Sequence, residues 1–259
     1  MKRIPKFVWV LVVLVALYGG AKLAWRQVYP SGTLRYKITV TVQTPEGIKV
    51  GSSVWEVYFF CQPKILPDVN PCPAFVAAGD AVIVNLGKRG MLFGLMRDWM
   101  GSDYGYHLVQ EVFPAPNGAF PLSAANVRYY RSLKTEKVVL RSEQYPDFVY
   151  FRYPKDPKTV ESVYRAVPYD AYNAKGNYIG RRFHIIDNME QIFGKGVKII
   201  QVTIQITHEP VTRGIEKILP WIPYYYNKML DGSRYTSSLS KNHVANGLAS
   251  GDFKIGERR

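Results

Sequence analysis

Cysteine and histidine are scarce in this chain of 259 residues, which holds two of the first and four of the second. No HExxH, Walker, GxGxxG or CxxC pattern occurs, so zincin, P-loop, dinucleotide-binding and thioredoxin-like chemistry have no carrier. No cofactor and no metal is expected, and no residue presents itself as catalytic. No acidic residue occurs in the first 26 positions, no cysteine lies near the N-terminus for lipid attachment, and no internal repeat is found. Charged residues are 21% of the chain and aromatic residues 14%, so it is not a disordered polyampholyte.

What is present begins with charge. Thirty-four basic residues against 20 acidic give a net charge of +14. Lys2, Arg3, Lys6, Lys22 and Arg26 account for part of it, and the rest of the chain still carries +9. Such a body favours anionic partners: lipid headgroups, polyanionic glycans of an envelope, or nucleic acid. A merely solvated basic surface meets the same description.

Phe7 to Ala21 is free of charge. Extended to Trp25 it spans about 28 Å, close to a bilayer core of about 30 Å, with Lys22 placed to snorkel. We read residues 7–25 as a transmembrane anchor. Residues 1–6 form a basic cytoplasmic tail and 26–32 a linker. A cleaved signal peptide is the competitor, since Gly19-Gly20-Ala21 supplies small residues behind a basic n-region. The positive-inside count is nearly balanced, but the basic tail is hard to translocate, which puts the body outside the cytoplasm. There Cys61 and Cys72 are expected to pair across a Pro-rich loop, with two buried thiols as the alternative.

The body reads as mainly β, of α+β class: one β-rich domain over residues 33–230 with a few short helices, then a polar, partly irregular tail over 231–259. Tyr36, Ile38, Val40 and Val42 alternate with polar residues, the pattern of a half-buried strand. Thr44-Pro45-Glu46-Gly47 turns the chain. In the returning strand Ile48 and Val50 have one parity and Trp55, Val57 and Phe59 the other. A β-bulge at Gly51-Ser52 would reconcile them. That is preferred to Ser52 or Ser53 as a nucleophile, because neither Gly-x-Ser-x-Gly nor Ser-x-x-Lys is complete.

Val82–Met96 reads as a second hairpin whose tip, Lys88 and Arg89, is a candidate phosphate contact or simply a charged turn. Further strands are expected at His107–Phe113, Lys137–Arg141, Phe148–Tyr153, Arg182–Ile186 and Val197–Thr207. Helices are expected at Ser123–Leu133, at Asp156–Val163, and from a Thr212 cap through Leu219. The aromatic run containing Trp221, Tyr224 and Tyr225 is a candidate surface for a membrane or partner, or else packs on the sheet. His107 and Glu111, four apart, share a face in either a helix or a strand and are groups a hydrolase could use; His184 with Asp187 and His208 with Glu209 are similarly weak pairs.

The stretches TLRYKITVTVQTPEGIKVGSSVWEV, GDAVIVNLGKRGMLF and ITHEPVTRGIEKILPWI together resemble an uncharacterised family of bacterial membrane-anchored proteins. The resemblance runs from about Thr33 to Trp221 and implies a bacterial source and an envelope location. That family has no assigned activity, so it lends no catalytic residue. The expected role is therefore a tethered, non-catalytic protein of the bacterial inner membrane, its domain in the periplasm. It would bind an envelope protein or an anionic lipid or glycan; nucleic acid is disfavoured for an exported domain. An envelope hydrolase of unfamiliar type is the alternative.

Overall fold

The computed structural model describes residues 6–66, 69–116, 118 and 122–256. Most of the basic tail, with Lys2 and Arg3, lies outside them. Helix α1 runs from Lys6 to Val28, and its stretch Phe7–Val28 is long and apolar enough to cross a membrane. It is longer than the charge-free run predicts, and it takes the first three residues of the expected 26–32 linker, while β1 takes the last two. Only Tyr29 and Pro30 stand between α1 and the first strand.

The domain is two antiparallel sheets, mainly β as expected. The first contains β1 (Ser31–Thr44), β2 (Gly47–Phe60), β3 (Ala74–Asp80), β6 (Lys137–Val139), β10 (Lys198–Ile206) and β11 (Lys254–Ile255), in the order β11-β3-β2-β1-β10-β6. The second contains β4 (Val82–Asn85), β5 (Met91–Gly94), β7 (Phe148–Phe151), β8 (Val160–Tyr172) and β9 (Tyr178–Asp187), in that order. The alternation in β1 places Tyr36, Ile38, Val40 and Val42 wholly inside. They meet Trp55, Val57 and Phe59 of β2 and Val82, Val84, Leu92 and Phe148 of the second sheet in one core. Helices α2 (Tyr104–Val112) and α3 (Ala124–Ser132) close that core through Tyr104, Leu108, Val109, Val127 and Tyr130. Ser123 caps α3 as expected, its hydroxyl accepting from the Asn126 amide.

The far face of the second sheet is also covered. Phe93, Val149, Phe151 and Val160 pack against Ile215, Leu219, Trp221, Leu230, Leu248 and Phe253. Residues beyond 230 take part in this packing. The polar-looking tail contains a short helix (His243–Gly247) and ends in β11, which pairs with β3. Two apolar faces explain why FVYF of β7 shows no simple alternation.

Four local expectations fail. No bulge forms at Gly51-Ser52: β1 and β2 pair without interruption from Thr44–Gly47 to Ser31–Phe60. Ile48 and Val50 simply face outward, at 54% and 60% exposure. Gly51 is needed because β4 crosses it, so that a Cβ there would strike the Ile83 backbone. Ser53 is buried and structural; its hydroxyl donates to the Asp80 carbonyl at 2.6 Å, and the Trp55 indole N–H donates to the same oxygen at 2.8 Å. Residues expected as a strand at His107–Phe113 belong to α2, since the buried set Tyr104, Gly105, Leu108 and Val109 follows a helical period. Asp156 caps only a 3₁₀ turn at Pro157–Thr159, after which β8 begins. Thr212 caps no helix. Its hydroxyl accepts from the Val54 amide at 2.8 Å, and a 3₁₀ turn follows at Ile215–Lys217.

Candidate functional site

A cleft of about 830 Å³ opens between α2 and the β8–β9 hairpin. One wall is α2, with Tyr104, His107, Leu108 and Glu111. The other is the face of β9 that carries Arg181, Phe183 and Ile185. This hairpin projects past its neighbour: β7 pairs only with the Val160–Tyr164 part of β8. Pro168 is tolerated for that reason, because it sits where β8 has β9 alone as a partner.

The floor is a tight turn at Asp98–Gly101, where the Asp98 carboxylate accepts from the Met100 amide at 2.7 Å. The turn aims Trp99 at β9. Its ring lies 5.4 Å from Phe183, and the Arg181 guanidinium stands 4.9 Å from its centre. Asp170 faces Arg181 only at 3.8 Å, with both side chains about half exposed.

The remaining edge is the segment Arg141–Gln144. Arg141 donates to Glu111 at 2.9 Å and to Glu143 at 2.7 Å. The Gln144 amide donates to the same Glu111 oxygen at 2.7 Å, and the Tyr104 hydroxyl donates to the Gln144 carbonyl at 2.9 Å. Burial pushes the Asp98 carboxyl up to about 7, only partly opposed by the Met100 amide. Burial likewise lowers His107, against the carboxylates of Asp103 and Glu111. The acids of the cleft are thus largely spent or poorly ionised, while Arg182 has no ion pair among the described residues.

No protein-family model, curated protein or solved structure matches the chain. The likeness of the three sequence blocks to membrane-anchored bacterial proteins gains no support there, and any role for the cleft rests on its geometry. Among the described residues no cluster of three or more His, Cys, Asp or Glu is arranged to hold a metal ion.

Of the residues singled out in the sequence, all but His107 and Glu111 lie elsewhere. Arg89 is committed within the fold: it donates to both Glu46 oxygens, at 3.0 and 2.7 Å, and to the Phe193 carbonyl at 2.5 Å. It ties the tips of two hairpins together. Trp221 is buried against Phe151 and Phe253, its indole N–H donating to the Pro154 carbonyl at 2.9 Å. Tyr225 packs edge-on against Trp221 under the Lys228 ammonium. Tyr224 alone of these rings is strongly exposed, at 73%, over a shallow depression shared with Lys228 and Arg234. Cys61 and Cys72 do form a disulfide. His107 and Glu111 reach the same cleft. Trp99, Phe183 and Arg181 carry no sequence signal of their own; reading β8–β9 as a long hairpin across Asn173–Asn177 would have brought Phe183 and Arg181 forward.

Proposed function

We propose that the chain is a non-catalytic protein of the bacterial inner membrane that binds an anionic envelope component. Its amino terminus lies in the cytoplasm, α1 crosses the bilayer, and the β domain stands in the periplasm. The observation that carries the binding role is the α2/β9 cleft, where Arg181 and Arg182 hold positive charge while Glu111 and Glu143 are occupied by Arg141. The net +9 of the chain beyond residue 26 would draw the same class of ligand. A disulfide is at home in the oxidising periplasm.

The test uses detergent-solubilised full-length protein, with dextran sulfate as the polyanion and neutral dextran as control. Binding is expected to be selective for dextran sulfate, to weaken with salt, and to fall in the double variant Arg181→Ala, Arg182→Ala. Equal binding by the double variant would remove the cleft from the proposal. A periplasm-dependent reporter fused after Arg259 tests the orientation.

A second reading, an envelope hydrolase, is favoured by one fact: His107, Glu111 and the high-pKa Asp98 line the same cleft. Against it, Glu111 is already held by Arg141 and Gln144. Turnover of any envelope glycan that disappears in Asp98→Asn would establish it.

A further inference from the structure

The disulfide loop lies at the base of the domain, beside the end of α1. Phe60 pairs with Ser31, and the Cys61 amide donates to the Pro30 carbonyl at 2.9 Å. The Gln62 amide donates to the Pro71 carbonyl at 2.8 Å. The loop therefore continues the β-hairpin past the start of β1, back along the chain that emerges from α1. Its near side and α1 enclose a mainly apolar groove of about 600 Å³, lined by Val28, Tyr29, Lys64, Val69, Pro71 and Leu122 among others. Beyond Lys64 the loop presents Ile65 and Leu66, 86% and 60% exposed. No packing among the described residues explains two adjacent bare aliphatic side chains.

Membrane geometry does. The 22 residues from Phe7 to Val28 span about 33 Å, slightly more than a hydrocarbon core of about 30 Å. Trp25 and Tyr29 lie 4.6 Å apart at the domain end of the helix, as interfacial rings do. Arg128 of α3 donates to the Gln27 carbonyl at 3.0 Å, seating the domain on that end. A loop that flanks Val28 and Tyr29 is thereby at headgroup depth.

We infer that the Cys61–Cys72 loop is a second membrane contact: Ile65 and Leu66 rest in the bilayer into which α1 inserts, and Lys64 meets lipid phosphate. The disulfide closes the loop that carries Ile65 and Leu66, and the groove beside it takes a bilayer lipid. One helix alone would leave the domain free to swivel; a second contact sets its tilt and hence the direction in which the cleft opens. This inference rests on α1 spanning the membrane.

The experiment places a benzophenone amino acid singly at Trp25, Ile48 or Leu66 in the full-length protein, reconstituted in vesicles of phosphatidylethanolamine and phosphatidylglycerol. Ile48 is the apolar control, exposed at the opposite end of the same β1–β2 hairpin. After illumination, lipid adducts are expected by mass spectrometry at positions 25 and 66 and not at 48. Adduct at 25 without adduct at 66 overturns the loop contact and leaves the anchor standing. No adduct at 25 overturns the anchor, and the loop contact with it. Equal adduct at 48 and 66 shows indiscriminate labelling of exposed apolar sites and also overturns it.

Discussion

Replacing Gly51 with alanine tests the place where the two sheets touch. Gly51 faces inward on β2, directly beneath β4. An added Cβ would press on the Ile83 carbonyl oxygen, 2.7 Å from its carbonyl carbon and 2.9 Å from a Val84 methyl. The obstacle is backbone, so no rotamer change relieves it, and β4 must shift. Overpacking of this kind costs about 1–3 kcal/mol, and a backbone obstacle belongs at the upper end. Alanine also restricts the unfolded chain, which returns about 0.4–1 kcal/mol. The net expectation is a loss of about 2 kcal/mol, or about 4–8 °C in Tm for a domain of this size. Thermal melting of the detergent-solubilised protein, followed by near-ultraviolet circular dichroism, reads the shift. Val50→Ala, on the exposed face of the same strand, serves as control and should stay within about 0.5 kcal/mol. An unchanged or raised Tm for Gly51→Ala would refute the close crossing of β4 and revive a bulge as the reason for glycine.

Three further outcomes are expected. Cys61→Ala with Cys72→Ala should lower stability by about 3 kcal/mol for a separation of 11 residues, and the unreduced wild type should show no reactive thiol. Trp221→Ala should cost about 3–5 kcal/mol because the ring fills the second core, whereas Tyr224→Ala should change stability by less than about 0.5 kcal/mol; the reverse order in chemical denaturation would contradict the burial of Trp221. Asp98 holds its proton to higher pH when folded than when unfolded. Its contribution is therefore complete below the ordinary aspartate pKa of about 4 and declines as pH rises through about 7. Asp98→Asn keeps an acceptor for the Met100 amide, so it should match the wild-type Tm in acid and exceed it above neutrality.

The Arg89 bridge shows why the site eluded the sequence. Lys88-Arg89 in a hairpin tip reads as a phosphate contact, because nothing local reveals that Glu46, more than forty positions earlier, lies opposite. Trp221 and Tyr224 are neighbours in one aromatic run, yet one is buried and the other bare. The break by prolines was legible; the side on which the second sheet would lie was not. His107 and Glu111 could be paired by spacing alone, since they share a side in either a helix or a strand. That Arg141 and Gln144 would occupy Glu111 depends on a segment thirty residues away.

What the sequence determined by itself was whatever follows from period and composition. The charge-free run made α1, strict alternation made β1 the centre of a half-buried sheet, Pro-Glu with Gly47 made the turn, and Ser123 capped α3. These depend on residues within a few positions of one another, where backbone sterics and the hydrophobic period decide. Only the tertiary structure decided that β4 would cross Gly51, that the polar C-terminal tail would return to cover the second sheet, and that α2 and the β8–β9 hairpin would leave a cleft between them. The physical reason is that burial is a property of pairs of surfaces. A strand's sequence carries its own apolar face, but which distant segment removes that face from water is set by how all the surfaces fit at once.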